Sequence, residues 1–426
     1  MIQSLKIKNI GPASEMTLEF GQRLNILTGD NGLGKSFLLD IIWWVMTRKW
    51  PAELNYNLTA GKMALPTDRK NRATIDAVFS GSSKTLNVPS QFIPEAQKWT
   101  VPQGRPPMPG FIFYALADGS FAVWDPARNY WKSKGDLRQG RAPAYVFSPK
   151  EVWDGLQNED GGWICNGLIR DWASWQKEKG RAFELLSAVL GTLSPSGDEA
   201  IIPGDLTRIS LDDVRDMPTL RMPYGQDVAV VHASSGMRRI IALAYFLVWC
   251  WEEHLKAKEL LGEQPENKSV FLIDEVESHL HPKWQRVIIP SLNRVMNKLV
   301  TSAEVQIITA THSPLIMASI ETLFDSSIDA WFDLDMIDNQ VILTKCEFEK
   351  YGDVSNWLLS NAFDLHSSRS VEAEQLINEA SALLIQESPS ETTLHEMNAR
   401  LVQALGVRDE FLFRWRAICD KKGWLK

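Results

Sequence analysis

Residues 24–46, LNILTGDNGLGKSFLLDIIWWVM, carry the reading on which the rest turns. Leu24, Ile26 and Leu27 open a short apolar run suited to a buried strand, and it stops at Gly29. From Ser36 the run FLLDIIWWVM has the length and composition of a helix. Between them stands Gly29-Asp30-Asn31-Gly32-Leu33-Gly34-Lys35-Ser36, a complete GxxxxGK(S/T) sequence in the strand–loop–helix setting the motif requires. Glycines there let successive backbone N–H groups curl around phosphate oxygens, and the helix aims its positive end at them. Gly29, Asn31, Gly32, Gly34, Lys35, Ser36 and Phe37 are the candidate contacts to a nucleotide. Lys35 would neutralise β- and γ-phosphates, and the Ser36 hydroxyl would ligate Mg²⁺.

Working outward, Ser269-Val270-Phe271-Leu272-Ile273-Asp274-Glu275 is a second apolar strand, and it delivers two acids at its end. Asp274 suits Mg²⁺, and Glu275 suits the orientation and activation of an attacking water. A third strand, VQIITAT, leads to His312 and Ser313-Pro314. That is the carboxyl end of a strand, where open α/β sheets bind ligands. Ala233-Ser234-Ser235-Gly236-Met237-Arg238-Arg239 opens a long apolar helix. Two hydroxyls, a glycine and a helix start make a second phosphate-binding surface, suited to another subunit's nucleotide; an N-capped helix is the plainer reading.

The chain has 426 residues, 44% hydrophobic and 23% charged, which excludes a disordered chain, a collagen-like fibre and a small disulfide scaffold. Cys165, Cys250, Cys346 and Cys419 form no CxxC pair, which argues against a zinc site and for reduced thiols in the cytoplasm. The longest apolar run, Ile240 to Trp251, is 12 residues, too short for a bilayer needing about 20. The N-terminus alternates like strands, with Leu5, Ile7 and Ile10, then Met16, Leu18 and Phe20, and lacks a signal-peptide layout.

GDNGLGKS, HASSGMRR, FLIDEVESHLHPKWQR and ITATHSP, in that order over residues 29–314, resemble the ABC-type ATPases. The likeness is to their stand-alone AAA-like group, close to OLD-family and SMC-like heads. It implies an α/β fold: an ABC-ATPase head, a phosphate-loop sheet with helices on both faces. It also implies two protomers that sandwich ATP and Mg²⁺ head to tail. Ser234, Ser235 and Gly236 become the signature facing the opposite γ-phosphate. Glu275 becomes the catalytic glutamate, Ser278-His279-Leu280-His281 the D-loop, and His312 the switch histidine. The signature departs from the family in reading SSG and in having Met237 after it; a Q-loop glutamine is not assigned.

The chain then divides into an ATPase lobe (1–47), a β-rich insertion (48–150), a helical segment (151–225), a second ATPase lobe (226–348) and a helical tail (349–426). Lys35 and Ser234 are 199 residues apart, too close for an SMC-length coiled coil. Asp333-Leu334-Asp335 has the DxD spacing of OLD nucleases, but no EGxxD-like segment precedes it and 91 residues follow, so it reads as the acidic face of a hairpin turning at Asp338-Asn339. The net charge of −8 is uneven: residues 48–150 hold 15 Lys and Arg against 7 Asp and Glu. In that stretch Arg48, Lys49, Arg69, Lys70 and Arg72 lie with Trp50, and Trp131 with Lys132, Lys134, Arg138 and Arg141, a composition that suits nucleic acid or equally a solvated loop.

The resemblance implies an ATP-driven switch subunit of an anti-phage system. It would dimerise or form a higher oligomer and control a separately encoded nuclease or toxin. The alternative is a DNA repair or recombination clamp that grips DNA through the insertion. The tail, with Leu376, Ile377, Leu383 and Leu384 at helical spacing, suits a helical pair packed on the ATPase core or on a partner.

Overall fold

Five apolar runs pair side by side, in parallel, as the middle of an eight-stranded sheet. Its order is Gln340–Cys346, Ala330–Ile337, Leu24–Gly29, Glu304–Ala310, Lys268–Ile273, Phe111–Ala115, Phe121–Trp124, Tyr145–Phe147. The first strand and the last two are antiparallel to their neighbours. Strands covered on both faces need apolar side chains at successive positions, which is why Val270 to Ile273 and Ile307 to Ile308 lack alternation. Leu27 lies opposite Ala310, and Thr309 opposite Ile273. This register sets the carboxyl ends of Leu24–Gly29, Glu304–Ala310 and Lys268–Ile273 side by side. The computed structural model describes residues 1–81, 85–101, 107, 109–129, 142–300, 303–363, 365–386, 389–406 and 408–424.

A second, antiparallel sheet runs Glu15–Glu19, Ile2–Lys8, Thr74–Phe79, Leu86–Ile93, Lys98–Trp99. The helix Lys35–Thr47 shares one buried cluster with both sheets, and Leu38, Leu39, Ile41, Ile42 and Trp43 are completely covered. A helix apolar all round is stable only when enclosed in this way. Trp44 stacks on Trp50 at 5.3 Å and meets Trp99 at 6.0 Å.

Residues 48–150, expected as one insertion, are divided between these two sheets. Thr74–Phe79 and Leu86–Ile93 extend the antiparallel sheet, whereas Phe111–Ala115 pairs directly with Lys268–Ile273 in the central one. Trp50 is 2% exposed and Arg48 is also buried, so neither belongs to an open basic face. The basic group at 131–141 lies outside the described residues. Residues 151–225 hold the helices Leu168–Glu178 and Arg181–Leu193, but also the strands Ile202–Pro203 and Thr219–Arg221 of a small sheet that Asp227–Ala229 completes just beyond the segment. Strands of two or three residues are too short to show a period of two.

The chain forms two compact units, Met1–Val354 and Ser355–Lys426. In the second, the helices Val371–Ile385, Glu391–Ala404 and Glu410–Lys422 are each N-capped, by Ser370, Ser390 and Asp409. Their apolar residues, Leu376, Ala380, Leu394, Leu401, Leu412 and Trp415 among them, pack on one another. The expected helical pair is thus a three-helix unit with its own core. Among the described residues no helix is long and apolar enough to cross a membrane.

Candidate active site

The loop after Leu24–Gly29 is fixed by what surrounds it. Gly29 has φ +120°, and a Cβ there would lie 2.1 Å from the Leu334 carbonyl oxygen, so only glycine fits between the two strands. Behind it Thr28 donates to Asp333 and accepts from the Trp331 indole at 2.7 Å. Asp333 is therefore turned inward beneath the loop, which corrects its expected place on the acidic face of the hairpin; the hairpin itself forms, with its turn at Asp338 and Asn339, both with positive φ.

Lys35 is buried, and its ammonium donates to the carbonyls of Gly29 at 2.7 Å and Asp30 at 2.8 Å. Burial pulls its pKa down, and Asp274, Asp30, Asp333 and Glu275 oppose that pull. Asn31 and Gly32 are exposed at the crest of the loop, and the ring of Phe37 packs on Gly11.

Asp274 emerges from its strand beside Ser36, whose hydroxyl donates to it. Burial pushes the Asp274 carboxyl up to about 6, with the Ser36 hydrogen bond pulling down and the negative Glu275 pushing further up. Its Oδ1 is buried without a hydrogen-bond partner. A buried carboxylate oxygen left unpaired is costly, and a hard cation would satisfy it. Ser36 and Asp274 thus fit Mg²⁺ by donor chemistry and by that orphaned atom.

Glu275 follows with φ +47°, a conformation uncommon for a residue with a side chain. Arg239 holds this corner: its guanidinium donates to the carbonyls of Asp274 at 3.0 Å, Glu275 at 3.2 Å and Ala117 at 3.0 Å. His312 reaches the same place from the neighbouring strand, with its ring bonded to the Gly29 carbonyl. Burial and the nearby Lys35 both lower the imidazole pKa, which favours the neutral ring.

Three segments distant in sequence therefore converge on residues 29–36. The signature does not join them: among the described residues no hydrogen bond or ion pair links Ser234–Gly236 to that loop. Ser234 caps the helix Ser235–Leu261, accepting from Met237 N–H at 3.3 Å, and both serines are exposed. Gly236 packs on the D-loop, where a Cβ would lie 2.5 Å from the His279 carbonyl oxygen.

Sequence reading assigns no role to Asp40 or Arg239. Asp40, one turn beyond Ser36, accepts from the Tyr114 hydroxyl at 2.9 Å, and burial pushes it up to about 7. Its signal was a single acid within FLLDIIWWVM. Arg239 carried none, because its acceptors are backbone carbonyls.

A phosphate loop on a parallel sheet, with an acid pair and a histidine at the adjacent strand ends, defines a P-loop protein of the ATPase type. The chain belongs to the AAA_21 family ("AAA domain, … AbiEii toxin, Type IV TA system"), which it matches over residues 24–318. It is 29% identical over 167 residues to the "Retron Ec83 probable ATPase" of Escherichia coli, covering 36% of this chain and 26% of that protein. It is 22% identical over 304 residues to the Septu protein PtuA of Bacillus thuringiensis, covering 70% and 69% respectively. The chain thus spans about a quarter of the length of the retron protein. Among solved structures it is similar to an SMC head domain from Thermotoga maritima, with a TM-score of 0.42, 17% identity, 82% of this chain and 99% of that one.

Proposed function

We propose that this chain binds and hydrolyses ATP as the switch subunit of an anti-phage system, closing head to tail around MgATP and governing a separately encoded nuclease or toxin. The observation that carries the ATPase reading is the unpaired, buried Oδ1 of Asp274 set beside Ser36 and Lys35, with His312 close to Lys35 and Glu275. Similarity to the retron and Septu proteins supports the defence role.

Lys35 leaves the carbonyls of Gly29 and Asp30 for the β- and γ-phosphates, and the loop N–H groups take the remaining oxygens. Ser36 and Asp274 would hold Mg²⁺, which would supply positive charge against the phosphates. Glu275 orients the attacking water and accepts its proton. The neutral His312 ring faces the same phosphate end of the loop. Ser234 and Ser235 stand exposed beside the half-buried Gly236, ready for a nucleotide held by a second copy. ATP acts as a switch because it binds the closed pair better than the separate subunits.

Glu275→Gln tests this directly. It should retain ATP binding, lose about 100-fold or more in turnover and accumulate ATP-bound dimers in sedimentation experiments. Unchanged turnover would mean that another group serves as base.

A second reading, a clamp on nucleic acid, is favoured by one feature. Arg69, Lys70 and Arg72 line an open cleft of about 270 Å³ with Gln91 and Gln97 and no acidic side chain. Asn9 holds their loop, donating to the Asp68 and Asn71 carbonyls at 2.7 and 2.8 Å. The cations are thus presented on an ordered backbone.

A further inference from the structure

The segment that carries His312 is gripped from both ends of the D-loop. Glu277 is largely buried; its Oε1 accepts the His312 backbone N–H at 2.5 Å, and its Oε2 accepts the Thr311 hydroxyl at 2.9 Å. Gln285, on the far side of the loop, accepts the Ser313 hydroxyl through Oε1 at 2.7 Å. Its Nε2 donates to the Leu280 carbonyl at 2.9 Å. Each of the residues 311–313 is therefore tied to the stretch 277–285.

Between these anchors lies Ser278–His281. His279 has φ +62°, and its carbonyl sits against Gly236 closely enough to exclude any side chain there. The exposed signature thus touches the loop whose ends hold the histidine. A carboxylate suits the Glu277 position because its two oxygens accept from two donors at once, in a buried setting that strengthens both bonds.

We propose that Glu277, seconded by Gln285, is the positioning residue for His312. The clasp passes the position of the D-loop and signature, the surfaces a second copy would cover, to the ring beside the phosphate loop. Closure around one nucleotide is thereby felt at the other. This inference rests on the head-to-tail ATPase reading above.

The test uses the full chain. Glu277→Ala should lower kcat about 10- to 100-fold while leaving KM for ATP within about twofold, because the phosphate loop is untouched. Glu277→Gln should recover most of kcat, since its amide oxygen can accept from His312 N–H and its NH₂ can donate to Thr311. In a His312→Ala background, Glu277→Ala should cost little more. Wild-type kcat in Glu277→Ala, or losses that add fully to those of His312→Ala, would overturn the clasp. If the alanine variant does not fold, Gln285→Ala carries the same expectations: lower kcat at constant KM. The ring proton NMR signals of His312 supply a readout independent of turnover. They should shift in the alanine variant and return in the glutamine variant, and unchanged signals sink the clasp. A wild-type protein that binds ATP without hydrolysing it would instead count against the ATPase reading, with the NMR arm still deciding the clasp.

Discussion

At the scale of single residues the site is a set of charges held where solvation is poor. Lys35 is the principal cation in the loop, and it is already desolvated. Lys35→Ala should therefore weaken nucleotide binding about 100-fold or more, measurable by titration calorimetry; near-normal affinity would refute the phosphate-loop assignment. Asp40 offers a different check. Its folded pKa of about 7 stands above the ordinary 3.8, so the folded protein keeps a proton that the unfolded chain has released. This residue's contribution to stability is then lost as pH rises from about 4 to 7, and is constant above that. Denaturant midpoints of nucleotide-free protein should fall over that window, and Asp40→Asn should flatten the fall. Equal slopes for the two proteins would mean that Asp40 is not protonated in the fold.

At the scale of elements, strand order does most of the assembly. Glu304–Ala310 lies between Leu24–Gly29 and Lys268–Ile273, which places His312 between the phosphate loop and the acid pair. The apolar runs, the phosphate loop and the turn at Asp338-Asn339 were legible because each has a local cause: burial on both faces, glycine spacing, or positive φ. The sharing of residues 48–150 between two sheets was not legible, because pairing partners far apart in the chain leave no periodic trace. Trp50 shows the same limit, since basic neighbours in sequence suggested a stacking surface whereas Trp44 covers it in space. The signature helix provides the prediction proper to this scale. Ser234→Arg loses a helix cap worth about 1 kcal/mol, which a unit of this size tolerates. It should leave ATP binding to the monomer intact while abolishing turnover and ATP-dependent association. Loss of folding in circular dichroism would show that capping is the serine's main task.

At the scale of the whole molecule, charge and partition matter most. The chain is acidic overall, yet the cleft at Arg69, Lys70 and Arg72 carries no acid in its lining. If it takes a phosphate backbone, duplex or single-stranded nucleic acid should bind in gel shifts with an affinity that falls as salt rises. Arg69→Glu with Arg72→Glu should lower that affinity at least tenfold and reduce the salt slope by about 2. Salt-independent binding, or none with and without ATP, favours the pure switch. The second unit, Ser355–Lys426, has its own caps and core, which suits a module with a surface of its own.

The sequence by itself determined the chemistry at the strand ends. A phosphate loop needs glycines, a lysine and a hydroxyl in fixed order, and those are local, short-range requirements. Tertiary structure alone decided which groups support them. Asp333 beneath the loop, Arg239 across three carbonyls and Glu277 on the backbone of His312 meet their partners through long-range pairing. Most of those partners are main-chain atoms, which every residue possesses and no sequence pattern can distinguish.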